Sequence, residues 1–312
     1  MNKILERIDK AAHVVVISHI DPDADSISSA SAMYTHLLRL HKKVSFFCAT
    51  KDINQKLSFL PWFDKIRNSF PSSADLAISL DCSNQSKLGV ELDCDLINIG
   101  QHIDNNCFGQ FSLVDTSSIS STQLLYRFFK ENNIGINQKM ATALYAGVLD
   151  RSNGFMNDEV DKNIFLLINE LIEYGADYKL CNKFIMKHTS LGAFRLKAIM
   201  YKNMLLIYEA RIAVFCVSDE DMKSSGAISD DCEEALEESL HLPSVEVAVL
   251  FKYSNDMSMK CSLQSCSYVD VLKIAQMFDG TGCSKRADFY ISSISSLEEL
   301  KDIITKLIHK EL

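Results

Sequence analysis

The segment His19-Ile20-Asp21-Pro22-Asp23-Ala24-Asp25-Ser26 places one imidazole and three carboxylates in a single short stretch. The apolar run at residues 14–17 predicts a buried strand before it, and the Ser- and Ala-rich residues 28–40 predict a helix after it. Carboxylates crowded into one loop repel each other unless a cation lies among them, so the segment indicates a metal site. The competing interpretation is a polar turn in which Asp23 or Asp25 caps the following helix.

The first part of the chain alternates between strand and helix patterns. Strands are predicted at residues 44–48, 77–80 and 96–99, and helices at residues 122–131 and 139–149. This order is typical of an α/β fold with a doubly wound, largely parallel sheet, in which ligands bind at the carboxyl ends of the strands. Asp25, Asp81 and His102 follow predicted strand ends, and we therefore expect them to meet in one crevice.

A second α/β pattern begins near residue 206. We accordingly divide the chain into a metal-binding domain at residues 1–186, a linker helix at 187–205 and a smaller C-terminal α/β domain at 206–312. In this arrangement we expect the ligand cleft to lie between the two domains.

Composition excludes some classes of partner. The 312 residues carry a net charge of −9, which gives no global attraction to nucleic acid or to an anionic membrane. No apolar run approaches the roughly 18 residues that a membrane span requires. The 10 cysteines form no C-x-x-C pair, and several lie in apolar runs, which favours free thiols in a reducing compartment. We expect a cytoplasmic protein with no membrane partner.

The motifs and their order resemble those of the DHH phosphoesterase superfamily. The opening segment is similar to its first motif, H-x-x-P-D-x-D-x-x-x-S, and Ser79-Leu80-Asp81 is similar to its second. Residues 98–105, N-I-G-Q-H-I-D-N, stand where the family has its Asp-His-His triplet, and residues 121–126 match the helix start that follows. Residues 147–155, G-V-L-D-R-S-N-G-F, resemble the fourth motif, G-x-x-x-D-T-G-x-F. The resemblance covers nearly the whole chain and is nearest to bacterial nanoRNases and 3′-phosphoadenosine-5′-phosphate phosphatases.

The resemblance implies a phosphoesterase that uses two Mn²⁺ or Mg²⁺ ions to activate water for attack on phosphorus. One ion would be held by His19, Asp23 and Asp81. The other would be held by Asp25 and Asp81 together with two more side chains. His102 is implied as a phosphate contact, so Asp25 and His102 are the expected catalytic residues. The implied substrate is a short oligonucleotide or a nucleoside phosphate.

The two remaining ligands of the second ion are replaced in this chain. Gln101 and Arg151 occupy their positions, and Gly100 stands at the first Asp of the triplet. A guanidinium stays protonated and cannot coordinate a cation, so we expect one tightly bound ion per chain. Arg151 can instead fill the space of the second ion, or a shift of one residue can bring Asp150 into the ligand position.

The C-terminal part resembles the DHH-associated domain. Lys260-Cys261-Ser262-Leu263-Gln264-Ser265 is similar to its K-x-S-L-R-S strand, with Gln264 in place of Arg, and residues 278–289 are similar to its glycine-rich turn. The resemblance implies that the substrate contacts Gly280, Gly282, Lys285 and Arg286. Within that turn, Thr281, Cys283 and Asp288 replace a Gly, a His and a Gly.

Three functional interpretations remain open. The first is a phosphoesterase with one intact metal site and a degraded second one. The second is a catalytically weak or inactive paralogue that binds a nucleotide or a protein partner. In the third, Arg151 neutralises the carboxylates and no metal binds. A homodimer is a further expectation.

Overall fold

The computed structural model describes residues 3–228, 231–254, 258–292 and 296–312. The chain divides into two units, Met1–His188 and Thr189–Leu312. Each unit has its own sheet and its own hydrophobic core, which confirms the predicted α/β class with a smaller second α/β part.

The first unit is built on a six-stranded sheet in the order β3-β2-β1-β4-β5-β6. Every neighbouring pair is parallel, as predicted. The strands are β1 His13–Ser18, β2 Lys43–Phe47, β3 Ile66–Arg67, β4 Leu76–Leu80, β5 Asp95–Gly100 and β6 Phe111–Val114. The sequence pattern misses β3 and β6 because both are short edge strands without a long apolar run. The order reverses beside β1, so ligands are expected at the carboxyl ends of β1 and β4.

Helices cover this sheet, and one of them is buried along most of its length. The α-helices are α1 Lys3–Lys10, α2 Ala24–Arg39, α3 Ser121–Glu131, α4 Gln138–Arg151, α5 Lys162–Glu173 and α6 Tyr178–Cys181. Short 3₁₀ turns lie at Gln55–Phe59, Phe63–Lys65 and Gln85–Leu88, and a π-helical turn at Asn182–Met186. Every residue of α2 from Ala24 to Leu37 is buried, because its many Ser and Ala side chains are small enough to let α3 and α4 approach closely.

His36 gives the first unit a stability that depends on pH. Its ring lies in the interior of α2, 5.5 Å from the ring of Phe129, and its Nε2 has no hydrogen-bond partner among the described residues. Burial, with a smaller contribution from Arg39, lowers the pKa of His36 to about 4. The unfolded chain therefore binds this proton first, and stability is complete above pH 6.5 and is lost as the pH falls toward 4.

We expect this group to lower the free energy of unfolding by about 2 kcal/mol between pH 8 and pH 5. His36→Leu removes the titrating group and reduces that loss by the same amount, as measured by urea unfolding at the two pH values. His241→Leu, at an exposed position of the second unit, is the matched control. Equal pH dependence in His36→Leu and the wild type would contradict the prediction.

The second unit contains a mixed sheet in the order β11-β12-β10-β9-β8-β7. Its strands are β7 Leu205–Ile207, β8 Ile212–Ser218, β9 Val247–Tyr253, β10 Met259–Ser265, β11 Thr281–Cys283 and β12 Arg286–Ile291. Its helices are α7 Leu191–Lys202, α8 Asp219–Ser225, α9 Asp231–Ser239, α10 Val271–Gln276 and α11 Leu297–Glu311. Only the pair β8 and β9 is parallel among these described strands.

Helix α7 lies where the sequence suggests a linker. Its Leu196 and Met200 are buried with Phe215 and Leu236 in the core of the second unit, so this helix is packed within that unit. Among the described residues, no helix has both the length and the apolar character to cross a membrane.

Candidate metal centre

The loop between β1 and α2 positions Asp23 at the start of α2. Its carboxylate accepts a hydrogen bond of 2.8 Å from the backbone N–H of Ser26, and Asp23 is thus the helix N-cap. The hydroxyl groups of Ser18 and Ser26, 2.5 Å apart, join the end of β1 to the first turn of α2. The cap uses one carboxylate oxygen, and the side chain stays 40% exposed. Capping and metal binding are therefore compatible for Asp23.

Asp81 follows directly after β4 and is almost completely buried. Its backbone N–H donates to the carbonyl oxygen of Ile99 at 2.9 Å, which ties it to β5. Its φ of 60° lies in the left-handed region, which is uncommon for residues other than glycine. Such backbone strain persists where the surrounding structure holds the residue, and it is frequent at functional sites. The geometry aims the Asp81 carboxylate at the loop after β1.

His19 directs its Nε2 at these carboxylates. Its Nδ1 donates to the carbonyl oxygen of Ile20 at 2.7 Å, which leaves the lone pair of Nε2 free in the neutral ring. Nε2 lies 3.7 Å from Asp81 Oδ2 and 3.9 Å from Asp23 Oδ1. One ligand atom from each of the three residues lies within 4.8 Å of the others. An ion about 2.0–2.2 Å from each atom can bridge the two separations from Nε2, 3.7 and 3.9 Å, and the donor set fits a divalent metal.

His102 joins the group through Asp81. Its Nε2 lies 3.0 Å from Asp81 Oδ1, and its side chain is 31% exposed. The hydrogen bond to Asp81 raises the pKa of His102, against the opposing effect of burial. Burial acts to raise the pKa of Asp81, but the hydrogen bonds it accepts, first of all from His102, lower it. His102 therefore lies at the solvent edge of the site with its Nε2 bonded to Asp81.

The structure places Asp25 apart from these ligand atoms. Its side chain is completely buried, its Oδ2 accepts from the backbone N–H of Ser121 at 2.7 Å, and its Oδ1 accepts from the N–H and hydroxyl of Thr122 at 3.0 and 2.6 Å. Burial, followed by the charges of Asp81 and Asp23, raises the pKa of Asp25 to about 8. All of its contacts in the described residues hold the first turn of α3.

Two of the positions that depart from the family lie beside Asp81. Gly100 ends β5, and the side chain of Gln101 contacts the hydroxyl of Ser121, whose proton is donated to Asp81 Oδ1 at 2.8 Å. Arg151 ends α4 and is exposed.

Asp150 is partly exposed and lies outside the group of three ligand residues. Burial, followed by the charge of Asp23, raises its pKa to about 6.

Ser121 and Thr122 are contacts of the site that the sequence does not assign. The match of residues 121–126 to a helix start is the one feature that points to them. Gly147 is a third residue that packs against the site. A Cβ at this position would lie 2.4 Å from Thr122 Cγ2 and 2.7 Å from Asp25 Oδ1. The glycine is required here because α4 passes so close to the Asp25 contacts.

The residues predicted to bind substrate in the second unit lie together in the hairpin of β11 and β12. The N–H of Gly280 donates to the carbonyl oxygen of Ala275 at 2.9 Å, so it is already used within the protein. Gly282 has a φ of +146°, and a Cβ there would lie 2.3 Å from Arg286 O. Both glycines thus have a packing role. Lys285 lies in the exposed turn of the hairpin, and Arg286 pairs with Glu237 at 3.2 Å.

The structure also places the three hairpin residues that differ from the family pattern. Thr281 and Cys283 are exposed in β11, and Asp288 pairs with Lys260 at 3.4 Å.

The pattern of the DHH family, N-terminal domain, matches residues 13–148. These residues contain β1, β4 and β5 with His19, Asp23 and Asp81, so this part of the chain is similar to the N-terminal domain of the DHH family. It is 22% identical over 250 residues to the bifunctional oligoribonuclease and PAP phosphatase NrnA of Bacillus subtilis, a match that covers 78% of each protein. The predicted family is therefore confirmed.

Two solved structures show the same fold. An exopolyphosphatase-related protein from Bacteroides fragilis has a TM-score of 0.87 at 20% identity and covers 98% of this chain and 94% of its own. RecJ from Thermus thermophilus, in complex with Mn²⁺, has a TM-score of 0.55 at 12% identity and covers 98% of this chain and 53% of its own. The first match extends the likeness of fold over both units.

Proposed function

We propose that this chain is a divalent-metal-dependent phosphoesterase that hydrolyses short oligonucleotides or nucleoside phosphates. The observation that carries the proposal is the convergence of His19 Nε2 with the carboxylates of Asp23 and Asp81 at strand ends of a DHH domain. The likeness to a protein named as an oligoribonuclease and PAP phosphatase supports this substrate class.

One Mn²⁺ ion, or Mg²⁺ in its place, is proposed to bind His19, Asp23 and Asp81. A set of one imidazole and two carboxylates favours Mn²⁺, since Mg²⁺ prefers oxygen ligands alone. When bound, the ion polarises a phosphoryl oxygen and lowers the pKa of a water molecule.

The protein's own residues are proposed to hold the phosphate against this centre. The hydrogen bond to Asp81 fixes the ring of His102, and its exposed edge can donate a hydrogen bond to a phosphate oxygen. In the reaction the water oxygen bonds to phosphorus, the P–O bond to the leaving nucleoside breaks, and the leaving oxygen takes up a proton. Gly280, Gly282, Lys285 and Arg286 remain predicted substrate contacts, and the cytoplasmic location and the homodimer also remain predictions.

The second candidate is a binding protein that holds a nucleotide or a protein partner with little turnover. The presence of Gln101 and Arg151 at two family ligand positions favours it. Incubation with MnCl₂ or EDTA and a 5′-phosphorylated dinucleotide or PAP separates the candidates by product formation. Mn²⁺-dependent product supports the phosphoesterase, whereas nucleotide binding without product supports the binding protein.

Asp23→Ser tests the metal site without removing the helix cap. Serine is also a good N-cap, so α2 keeps its first turn while one metal ligand is lost. We expect Mn²⁺ affinity, measured by calorimetric titration, to fall by more than about 10-fold, with a parallel loss of turnover.

Asp161→Ser is the matched control, because Asp161 caps α5 by the same type of contact. We expect it to leave Mn²⁺ affinity unchanged and to change thermal stability as little as Asp23→Ser does. Unchanged Mn²⁺ affinity in Asp23→Ser would remove Asp23 from the ligand set.

A further inference from the structure

We propose that this centre holds a single metal ion and that the guanidinium of Arg151 takes the place of the second ion as a direct contact to the substrate phosphate. The inference rests on the proposed function and adds the residue that compensates for the missing ion. Three features of the first unit carry it: the contacts of Asp25, the buried amide of Gln101 and the unpaired side chain of Arg151.

Asp25 already accepts several hydrogen bonds from the protein. Three donors from Ser121 and Thr122 occupy its two oxygens at 2.6–3.0 Å, and the side chain has no exposed surface. A carboxylate at a helix start, bonded to the free N–H groups of the first turn, stabilises that helix. A metal ion at Asp25 would have to compete with these bonds in a dry interior. Asp25, in the first turn of α2, therefore acts as a structural contact that holds the first turn of α3.

Gln101 stands where the family has an imidazole ligand of the second ion. The residue is 7% exposed, and its amide contacts the hydroxyl of Ser121 beside Asp81. A neutral amide offers a cation only a weakly basic carbonyl oxygen, so the second position lacks the imidazole that would hold an ion there.

Arg151 lies one helical turn after Gly147 on the same face of α4, and Gly147 packs directly against Asp25 and Thr122. Partial burial acts to lower its pKa, but the charges of Asp25, Asp81 and Asp23 raise it. Within the described residues its guanidinium forms no ion pair or hydrogen bond, and the side chain is exposed. Its N–H groups are thus available to an incoming ligand, and a guanidinium binds phosphate by two parallel hydrogen bonds.

These features together describe a centre with one divalent ion and one guanidinium. Asp23 and Asp81 keep enough negative charge to attract both of them to the same edge of the sheet. Arg151 carries a single charge and cannot activate a second water, so we expect slower turnover than two ions would give. Its role is to bind the phosphate and to stabilise the charge that develops on it during attack.

The test compares Arg151→Gln with Arg151→Lys and with Lys162→Gln, which removes an exposed charge from α5. Calorimetric titration with MnCl₂ should give one ion per chain in the wild type and in all three variants. In the Mn²⁺-loaded protein, Arg151→Gln should weaken the binding of inorganic phosphate by about 10-fold and lower kcat/KM for a dinucleotide by about 100-fold. Arg151→Lys should recover part of the phosphate affinity and part of kcat/KM. Lys162→Gln should have the wild-type value of each.

Asp25→Asn supplies an independent measurement. If Asp25 only caps α3, this variant lowers the midpoint of thermal unfolding and leaves Mn²⁺ affinity within a few-fold of the wild type. Two Mn²⁺ per wild-type chain, or equal phosphate affinity in Arg151→Gln and the wild type, would overturn the inference. If the wild type shows no turnover, the proposed function fails, and the phosphate titration still decides the role of Arg151.

Discussion

Asp81→Asn is expected to abolish tight Mn²⁺ binding and Mn²⁺-dependent turnover. Asp81 contacts both His19 and His102, and the amide of asparagine is a neutral and much weaker ligand. We expect Mn²⁺ affinity to fall by at least about 100-fold and turnover by about 1,000-fold. Calorimetric titration with MnCl₂ and a dinucleotide hydrolysis assay measure the two effects.

The variant should still fold, and this makes the result interpretable. Asparagine adopts the left-handed conformation required at a φ of 60° more readily than most residues, and its side chain oxygen can accept from Ser121. Asp104→Asn, the same change at an exposed position of the loop after β5, is the control and should behave as the wild type. If Asp81→Asn retains wild-type Mn²⁺ affinity, the metal centre lies elsewhere.

Gly147→Ala is expected to produce the largest loss of stability among single-methyl additions in this region. In most helices the change from Gly to Ala is stabilising by about 1 kcal/mol. Here the new methyl group would lie 2.4 Å from Thr122 Cγ2 and 2.7 Å from Asp25 Oδ1, both in the buried contact of α2, α3 and α4. We expect the free energy of unfolding, measured in urea, to fall by about 3 kcal/mol.

A second change at Thr122 identifies the cause of this loss. Thr122→Ser removes the methyl group that makes the closest contact and keeps the hydroxyl that donates to Asp25. The double variant should therefore recover part of the stability that Gly147→Ala loses. Gly135→Ala is the control, because its new methyl group would be 3.6 Å from the nearest atom, the end of Arg39. Equal stability of Gly147→Ala and the wild type would show that α4 can move away.

Much of the first unit follows from local sequence patterns. The run at residues 14–17 lies within β1, all of whose residues are buried, because a central parallel strand has helices on both faces and needs apolar side chains throughout. The second strand end, at Asp81, is predictable for the same reason, since β4 is equally buried. His19, Asp23 and Asp81 meet because parallel neighbours end at the same edge of the sheet.

The role of Asp25 cannot be read from the pattern around it. Its partners Ser121 and Thr122 are 96 and 97 residues away in the chain, and only tertiary packing brings the start of α3 to the start of α2. In the sequence, a carboxylate two residues after another in a metal-like loop indicates a ligand. In the structure, the same carboxylate accepts hydrogen bonds from two backbone N–H groups and one hydroxyl.

The hairpin of the second unit shows why glycine spacing alone does not predict a phosphate-binding loop. Gly280 and Gly282 are read from the sequence as a turn that exposes N–H groups to a phosphate. The structure gives each glycine a reason within the hairpin, because a side chain at either position would collide with the backbone of β12. Short spacing between glycines does not distinguish a ligand loop from a close backbone approach, since both need the absence of a Cβ.

The contacts of Asp25 with α3 bear on whether the first unit folds before or after it binds a metal ion. In small metalloproteins the ion completes the fold, and chelators unfold the chain. Here the most buried carboxylate of the loop is satisfied by the polypeptide itself, so α2 and α3 can assemble in a newly made chain before any ion arrives. The ion then adds stability only by mass action, according to its concentration relative to its dissociation constant. Under the proposed function, a shortage of the divalent ion would thus leave the protein folded but inactive, and the returning ion would bind a preformed site.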